Sequence, residues 1–178
     1  MKKLLAAITC ALITISTYGQ GTVNFANTAA TLIKLPDGVT GATVGQYTVE
    51  LLYSATAPAN INAMSLGANT GIAPAPGRFL GGTYTTPNTT APGATAWFAV
   101  EAWQNSFASY AAAVAGGGIY GQSSIFSLAT GGAGSPASPA TALTAPGGFT
   151  GFTMTVPEPS TIALGLLGGA ALLFRRRK

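Results

Sequence analysis

Thr95-Ala-Trp-Phe-Ala-Val-Glu-Ala-Trp-Gln104 is the stretch that decides the fold. Read with a period of two, Trp97, Ala99, Glu101 and Trp103 share one face, and Phe98, Val100 and Ala102 share the other. A strand that is largely apolar on both faces belongs inside a sandwich, not at a solvated edge. Residues 47–54 repeat the signal: Tyr47, Val49, Leu51 and Tyr53 alternate with Thr48, Glu50, Leu52 and Ser54. Further out the pattern thins. Val23 and Phe25 alternate with polar neighbours, Pro36-Asp37-Gly38 is a turn, and residues 78–85, 124–128 and 149–156 read as short strands. Pro, Asn and Gly punctuate residues 57–77, residues 86–93 read as loop, and residues 130–148 form a Gly/Ser/Pro/Ala loop or linker. One short helix is expected, with Ser106 as its cap, Phe107, Tyr110, Ala111 and Val114 at helical spacing, and Gly116-Gly117-Gly118 as its stop. These elements predict a mainly β fold: a single antiparallel β-sandwich or jelly-roll-like domain over residues 20–155.

Composition supports a packed body and removes several functions. Hydrophobic residues make up 48% of the 178 and charged ones only 7%, the reverse of a disordered chain. The formal charge of +4 is concentrated at the ends, in Lys2, Lys3, Arg175, Arg176, Arg177 and Lys178. The body sets two cations, Lys34 and Arg78, against three carboxylates, Asp37, Glu50 and Glu101, for a net charge of −1. Two scattered cations make no phosphate-binding surface, so nucleic acid is excluded as a partner. The chain has no histidine, and its one cysteine, Cys10, sits in the N-terminal apolar run. No thiolate or imidazole metal site is expected, the carboxylates are too scattered for calcium, and no cofactor is implied.

For the same reason no catalytic residue is expected, since nucleophilic catalysis with His or Cys has no residues to use. Glu50 and Glu101 invite comparison with a glycosidase acid–base pair, but the surrounding sequence lacks the polar groups such a site gathers. The speculative ligand-binding set is Trp97, Glu101 and Trp103. Two indoles flanking a carboxylate suit an extracellular polysaccharide, the rings stacking on sugar faces and Glu101 accepting hydroxyl hydrogen bonds. Against it stands a packing reading in which the indoles are buried and the carboxylate is bonded within the sheet.

The two ends speak of transport. Met1-Lys2-Lys3, the apolar run Leu4–Ile15 and the small residues before Gln20 have the order of a secretory signal peptide over residues 1–19, cleaved after Gly19 or one residue later. That run of 12 residues is well short of the ~20 that span a bilayer. At the other end Pro157-Glu158-Pro159 precedes an apolar stretch, a transmembrane helix over about residues 160–174, which ends in the basic cluster Arg175-Arg176-Arg177-Lys178. Its core, Ile162–Phe174, rises ~20 Å as a helix, and the basic cluster stops it on the cytoplasmic side. Pro157 and Pro159 hold the approach extended.

In motif, helix and cluster, residues 156–178 resemble the PEP-CTERM sorting signal. The resemblance implies export, recognition of Pro157-Glu158-Pro159 by the processing enzyme exosortase, and removal of the hydrophobic tail from an inner-membrane-anchored precursor. The rival is a plain tail anchor that keeps its helix. More loosely, the Gly21-Thr-Val-Asn-Phe25 opening and the Ala102-Trp103 and Tyr120-Gly121-Gln122-Ser123 stretches resemble small β-rich PEP-CTERM proteins of planctomycete–verrucomicrobial bacteria. The expectation is an exported, exosortase-processed structural or adhesive protein of the envelope or extracellular matrix, with no enzymatic activity. The alternative is a carbohydrate-binding module using the Trp face.

Overall fold

The strand that anchors the sequence pattern also anchors the architecture. In the computed structural model, which describes residues 19–134 and 136–157, the described strands are β1 (Thr22–Ala26), β2 (Ile33–Lys34), β3 (Tyr47–Ser54), β4 (Ser65–Gly71), β5 (Leu80–Thr85), β6 (Thr95–Gln104), β7 (Tyr120–Gln122), β8 (Phe126–Ala129), β9 (Thr141–Ala142) and β10 (Phe152–Thr153). A helix, α1 (Tyr110–Gly116), joins β6 to β7. Strand β6 is the hub. It pairs antiparallel with β3 along the whole of that strand, from Tyr47 opposite Gln104 to Ser54 opposite Trp97. On its other edge β7 pairs with the C-terminal half and β8 with the N-terminal half. Strand β4 completes this sheet beyond β3.

A second sheet, β5-β1-β9, lies across the core. Its β1–β5 ladder is antiparallel and its β1–β9 contact is parallel. Strands β2 and β10 form a parallel two-stranded pair. The fold is therefore mainly β with one short helix, its long ladders antiparallel as the alternation predicts. The parallel pairings each span only two residue pairs.

The core fills the space between the sheets. Ala96, Phe98, Val100 and Ala102 of β6 face it with Val49, Leu51 and Tyr53 of β3 and Val23 and Phe25 of β1. An aromatic chain crosses it in steps of 5.0–6.3 Å between ring centroids: Phe25, Phe79, Phe149, Phe126, Phe98, Tyr53, Tyr84. It begins on β1 and returns to β5, so rings tie both sheets together. Tilted and edge-on pairs of this kind add about 0.5–1.5 kcal/mol each beyond the area they bury. Buried polar side chains are paired with one exception among the described residues, Arg78 Nε. The Asn27 side chain donates to Thr31 O at 2.7 Å and Gly77 O at 2.9 Å, and accepts from Phe79 N–H at 2.9 Å. Tyr53 Oη bonds Thr90 Oγ1.

Several local expectations shift. The strand expected over residues 78–85 begins at Leu80, that over 124–128 is Phe126–Ala129, and the last strand, expected over 149–156, shrinks to Phe152–Thr153. Strand β4 lies within residues expected to be turns, and β9 within the expected loop. The helix starts after Ser109, not Ser106: Ser109 Oγ accepts from Ala112 N–H at 3.1 Å. Residues 104–107 are taken by a turn, Phe107 N–H donating to Gln104 O at 3.0 Å. Val114, expected on the packed face, is 41% exposed, and Ala113 is the buried member. Gly117 closes the helix in the left-handed region, at φ 75°. Its neighbours serve the Phe107 ring, since a Cβ on Gly116 or Gly118 would fall 2.4 or 2.3 Å from ring carbons.

Candidate functional site

The side of β6 turned away from the core carries the candidate residues, and its centre is acidic. Glu50 and Glu101 are direct cross-strand partners, which places their Cβ atoms ~4.5–5.5 Å apart. Both carboxyl groups are pushed up by burial; for Glu101 the second cause is the charge of Glu50, and its pKa reaches about 7. Like charges directly opposite repel, and the body's cations are engaged elsewhere. Arg78 Nη2 donates to Asn27 O at 3.1 Å, and Lys34 lies near Asp37. Asp37 itself closes the predicted turn. It accepts from Val39 and Thr40 N–H at 2.9 and 2.8 Å, and bonding to Thr40 and Val39 holds its carboxyl below the usual range.

The flank of Glu101 is built by β7 and α1. Gln122 is its partner on β7, and the Tyr110 hydroxyl donates to Gln122 Oε1 at 3.1 Å. The Tyr110 ring meets Tyr120 edge-on, with centroids 5.4 Å apart. Burial first, then the charges of Glu101 and Tyr120, push the Tyr110 hydroxyl up to about 12. The pair Glu50–Glu101 thus holds back from full ionisation near neutrality, because two desolvated carboxylates side by side disfavour double charge. Among the described residues no group of three His, Cys, Asp or Glu converges to hold a metal ion.

The two indoles meet different fates. Trp103 is 5% exposed and its Nε1 donates to Phe107 O at 3.1 Å, so its polar edge is spent inside the protein. Trp97 lies six residues back along the same face, ~20 Å away at the usual rise of a strand. It is half-buried, opposite Ser127 of β8 and Ser54 of β3. Among the described residues its Nε1 makes no hydrogen bond, unlike that of Trp103. Trp97 instead lines an open groove of about 570 Å³ with Ser124, Ser127, Gly147, Gly148 and Thr150. The alternation therefore puts Trp97, Glu101 and Trp103 on one face, while the fold keeps the indoles from forming a single platform.

Sequence reasoning missed most of this groove. Ser127 was within reach, since it alternates with the core residues Phe126 and Leu128 on β8. Gly147 and Gly148 come from the expected loop and Thr150 from the start of the strand expected over residues 149–156, and only the tertiary fold brings them to Trp97.

The C-terminal site begins where the body ends. Met154 is buried and its N–H donates to Lys34 O at 2.8 Å. Thr155 is clamped to β7, its N–H donating to Tyr120 O at 2.7 Å and its O accepting from Tyr120 N–H at 3.1 Å. Val156 is then 45% exposed, and Pro157 is the last described residue. Residues 155–178 match the PEP-CTERM protein-sorting motif. The chain carries a PEP-CTERM sorting signal.

The PEP-CTERM match opens at the clamped Thr155, one residue before the boundary read from the sequence. It implies an exported chain processed by exosortase on its way to the cell surface. Glu158, Pro159, the expected helix over about 160–174 and the cluster Arg175–Lys178 lie outside the described residues, as do residues 1–18 of the expected leader. Among the described residues no helix is long and apolar enough to cross a membrane. No curated protein matches the chain, and no solved structure does.

Proposed function

We propose that this chain is a non-enzymatic structural or adhesive protein of the cell surface or extracellular matrix, delivered by cleavage at both ends. The leader carries it through the inner membrane, the C-terminal helix holds the precursor there, and exosortase acts at Pro157-Glu158-Pro159. The observation that carries the reading is the PEP-CTERM match over residues 155–178, placed directly after the last core residue, Met154. A cut at the motif takes no described core side chain with it. The absence of an enzymatic role is supported by chemistry: from Gln20 onward the sequence has neither His nor Cys. Glu50 and Glu101, moreover, face each other across a ladder with no cation beside them among the described residues.

The test is Glu158→Ala in a host that has exosortase. The parent is expected to appear at the surface with a trimmed C-terminus, and the variant to accumulate in the membrane at full precursor length. Intact masses showing the same mature C-terminus for both would overturn the reading. A parent that keeps its tail at the surface would mean a plain tail anchor.

A further inference from the structure

We propose that the groove beside Trp97 is a binding site for a neutral sugar ring of a polysaccharide, with the indole as its stacking platform. The inference rests on the surface-protein reading above and gives that surface a ligand class. Three features of the groove select it. Its size, about 570 Å³, accommodates one or two sugar residues and falls within the range of small-ligand sites, roughly 300–1,000 Å³. Its wall offers the Trp97 ring, whose N–H has no acceptor among the described residues, unlike that of Trp103. An aromatic body with a free polar edge suits a ligand that is apolar on its ring faces and polar on its rim.

The remaining lining is uncharged. Ser124, Ser127 and Thr150 supply hydroxyls that both donate and accept, matching sugar hydroxyls without selecting charge. Gly147, also in the lining, adds no side chain to fill the groove. Gly147 has φ 82°, and a Cβ there would meet nothing within 4 Å, so the approach above it is open. A phosphate or sulfate ligand would need cations, and neither Lys34 nor Arg78 lines this groove. An apolar peptide would leave three hydroxyls unpaired. A neutral glycan brings hydroxyls that can pair with these three.

The experiment is affinity electrophoresis of the intact chain in a non-glycosidic detergent, through native gels cast with neutral polysaccharides (β-glucan, starch, xylan, mannan) or with anionic dextran sulfate. At least one neutral polymer is expected to retard the protein. Trp97→Ala should weaken that retardation at least ~10-fold, the order expected when a dominant aromatic anchor is lost. Ser127→Lys is the second variant. It stands at an exposed strand position, so it keeps the fold while placing a cation in the groove, and it should also abolish retardation. Trp103→Phe, away from the groove, should bind as the parent does. Retardation by dextran sulfate alone, by none of the neutral polymers, or undiminished in both groove variants overturns the proposal. Surface delivery is read separately in the same strains by C-terminal mass. A groove variant that is processed normally but fails to bind supports the site, and a parent that binds in gels but never reaches the surface overturns the localisation alone.

Discussion

Replacing Glu101 by Gln should stabilise this protein at neutral and alkaline pH and leave it nearly unchanged in acid. Glu101 sits opposite Glu50 in the β3–β6 ladder, is 8% exposed, and has its pKa pushed from 4.5 to about 7 by desolvation and then by Glu50. In the unfolded chain the carboxyl returns to its ordinary value and ionises first. Below about pH 4 both states are protonated and there is no penalty; between about 4.5 and 7 stability falls as pH rises; above about 7 the loss is complete. A shift of this size corresponds at most to ~3 kcal/mol at ~1.36 kcal/mol per unit. Among the described residues no group hydrogen-bonds the Glu101 oxygens, and solvent screening of a carboxyl that is not wholly desolvated lowers this ceiling. That brings the expected loss to ~1–2 kcal/mol. Thermal unfolding of parent and Glu101→Gln, followed by tryptophan fluorescence at about pH 4 and pH 8, should show the variant higher by ~3–8 °C at the upper pH only. A parent more stable at pH 8 than at pH 4, or a Gln variant no better than the parent at pH 8, would refute the buried acidic pair.

Trp103→Ala should cost ~3–5 kcal/mol, because it empties a buried indole site and orphans the Phe107 carbonyl that the indole N–H satisfies. A melting temperature within a degree of the parent would contradict that burial. Separately, a four-residue Gly-Ser insertion between Val156 and Pro157 should raise the fraction processed in a short pulse, since the backbone is held on Tyr120 up to Thr155 and leaves one free residue before the motif. Pulse labelling that shows slower processing would mean the enzyme uses the folded edge instead of merely tolerating it.

What was legible in the sequence was whatever the core enforces. Strands β3 and β6 pack Val49, Leu51, Phe98 and Val100 on alternate positions, and a slip of one residue would turn that set outward, so their register is written in the residues. Strand β4 is different. Its residues, Ser65-Leu-Gly-Ala-Asn-Thr-Gly71, bury no side chain fully, and Leu66 is 62% exposed. It exists because the free edge of β3 offers a ladder, which no local pattern announces. Strands β9 and β10, two residues each, are positioned by β1 and β2 for the same reason. The helix start moved from Ser106 to Ser109 because the Phe107 ring settles on Gly116 and Gly118 while its carbonyl takes the Trp103 N–H. Two hydroxyls competed for one cap, and a tertiary contact chose between them. The candidate face divides in the same way. Alternation put Trp97, Glu101 and Trp103 on one side, but only the β6–β3 and β6–β7 registers show that Glu101 meets Glu50 and Gln122.

The folded body and the sorting signal meet at Thr155. A sorting signal that is cut away must not take part of the fold with it, and a fold that continues into the signal would hide the motif from its enzyme. This chain meets both conditions within three residues. Met154 is the last core side chain, Thr155 is locked by two backbone bonds to Tyr120, and Val156 is already turned to solvent. Pro157 then follows, its fixed φ and missing N–H ill-suited to extending the ladder any further. Tyr120 in turn belongs to β7, whose Gln122 flanks Glu101 and accepts from Tyr110. The residue that ends the body is therefore bonded to the same strand that buttresses the acidic pair. Disruption of β7 should loosen both, giving a body with a less perturbed Glu101 and a sorting motif released from its anchor on the sheet.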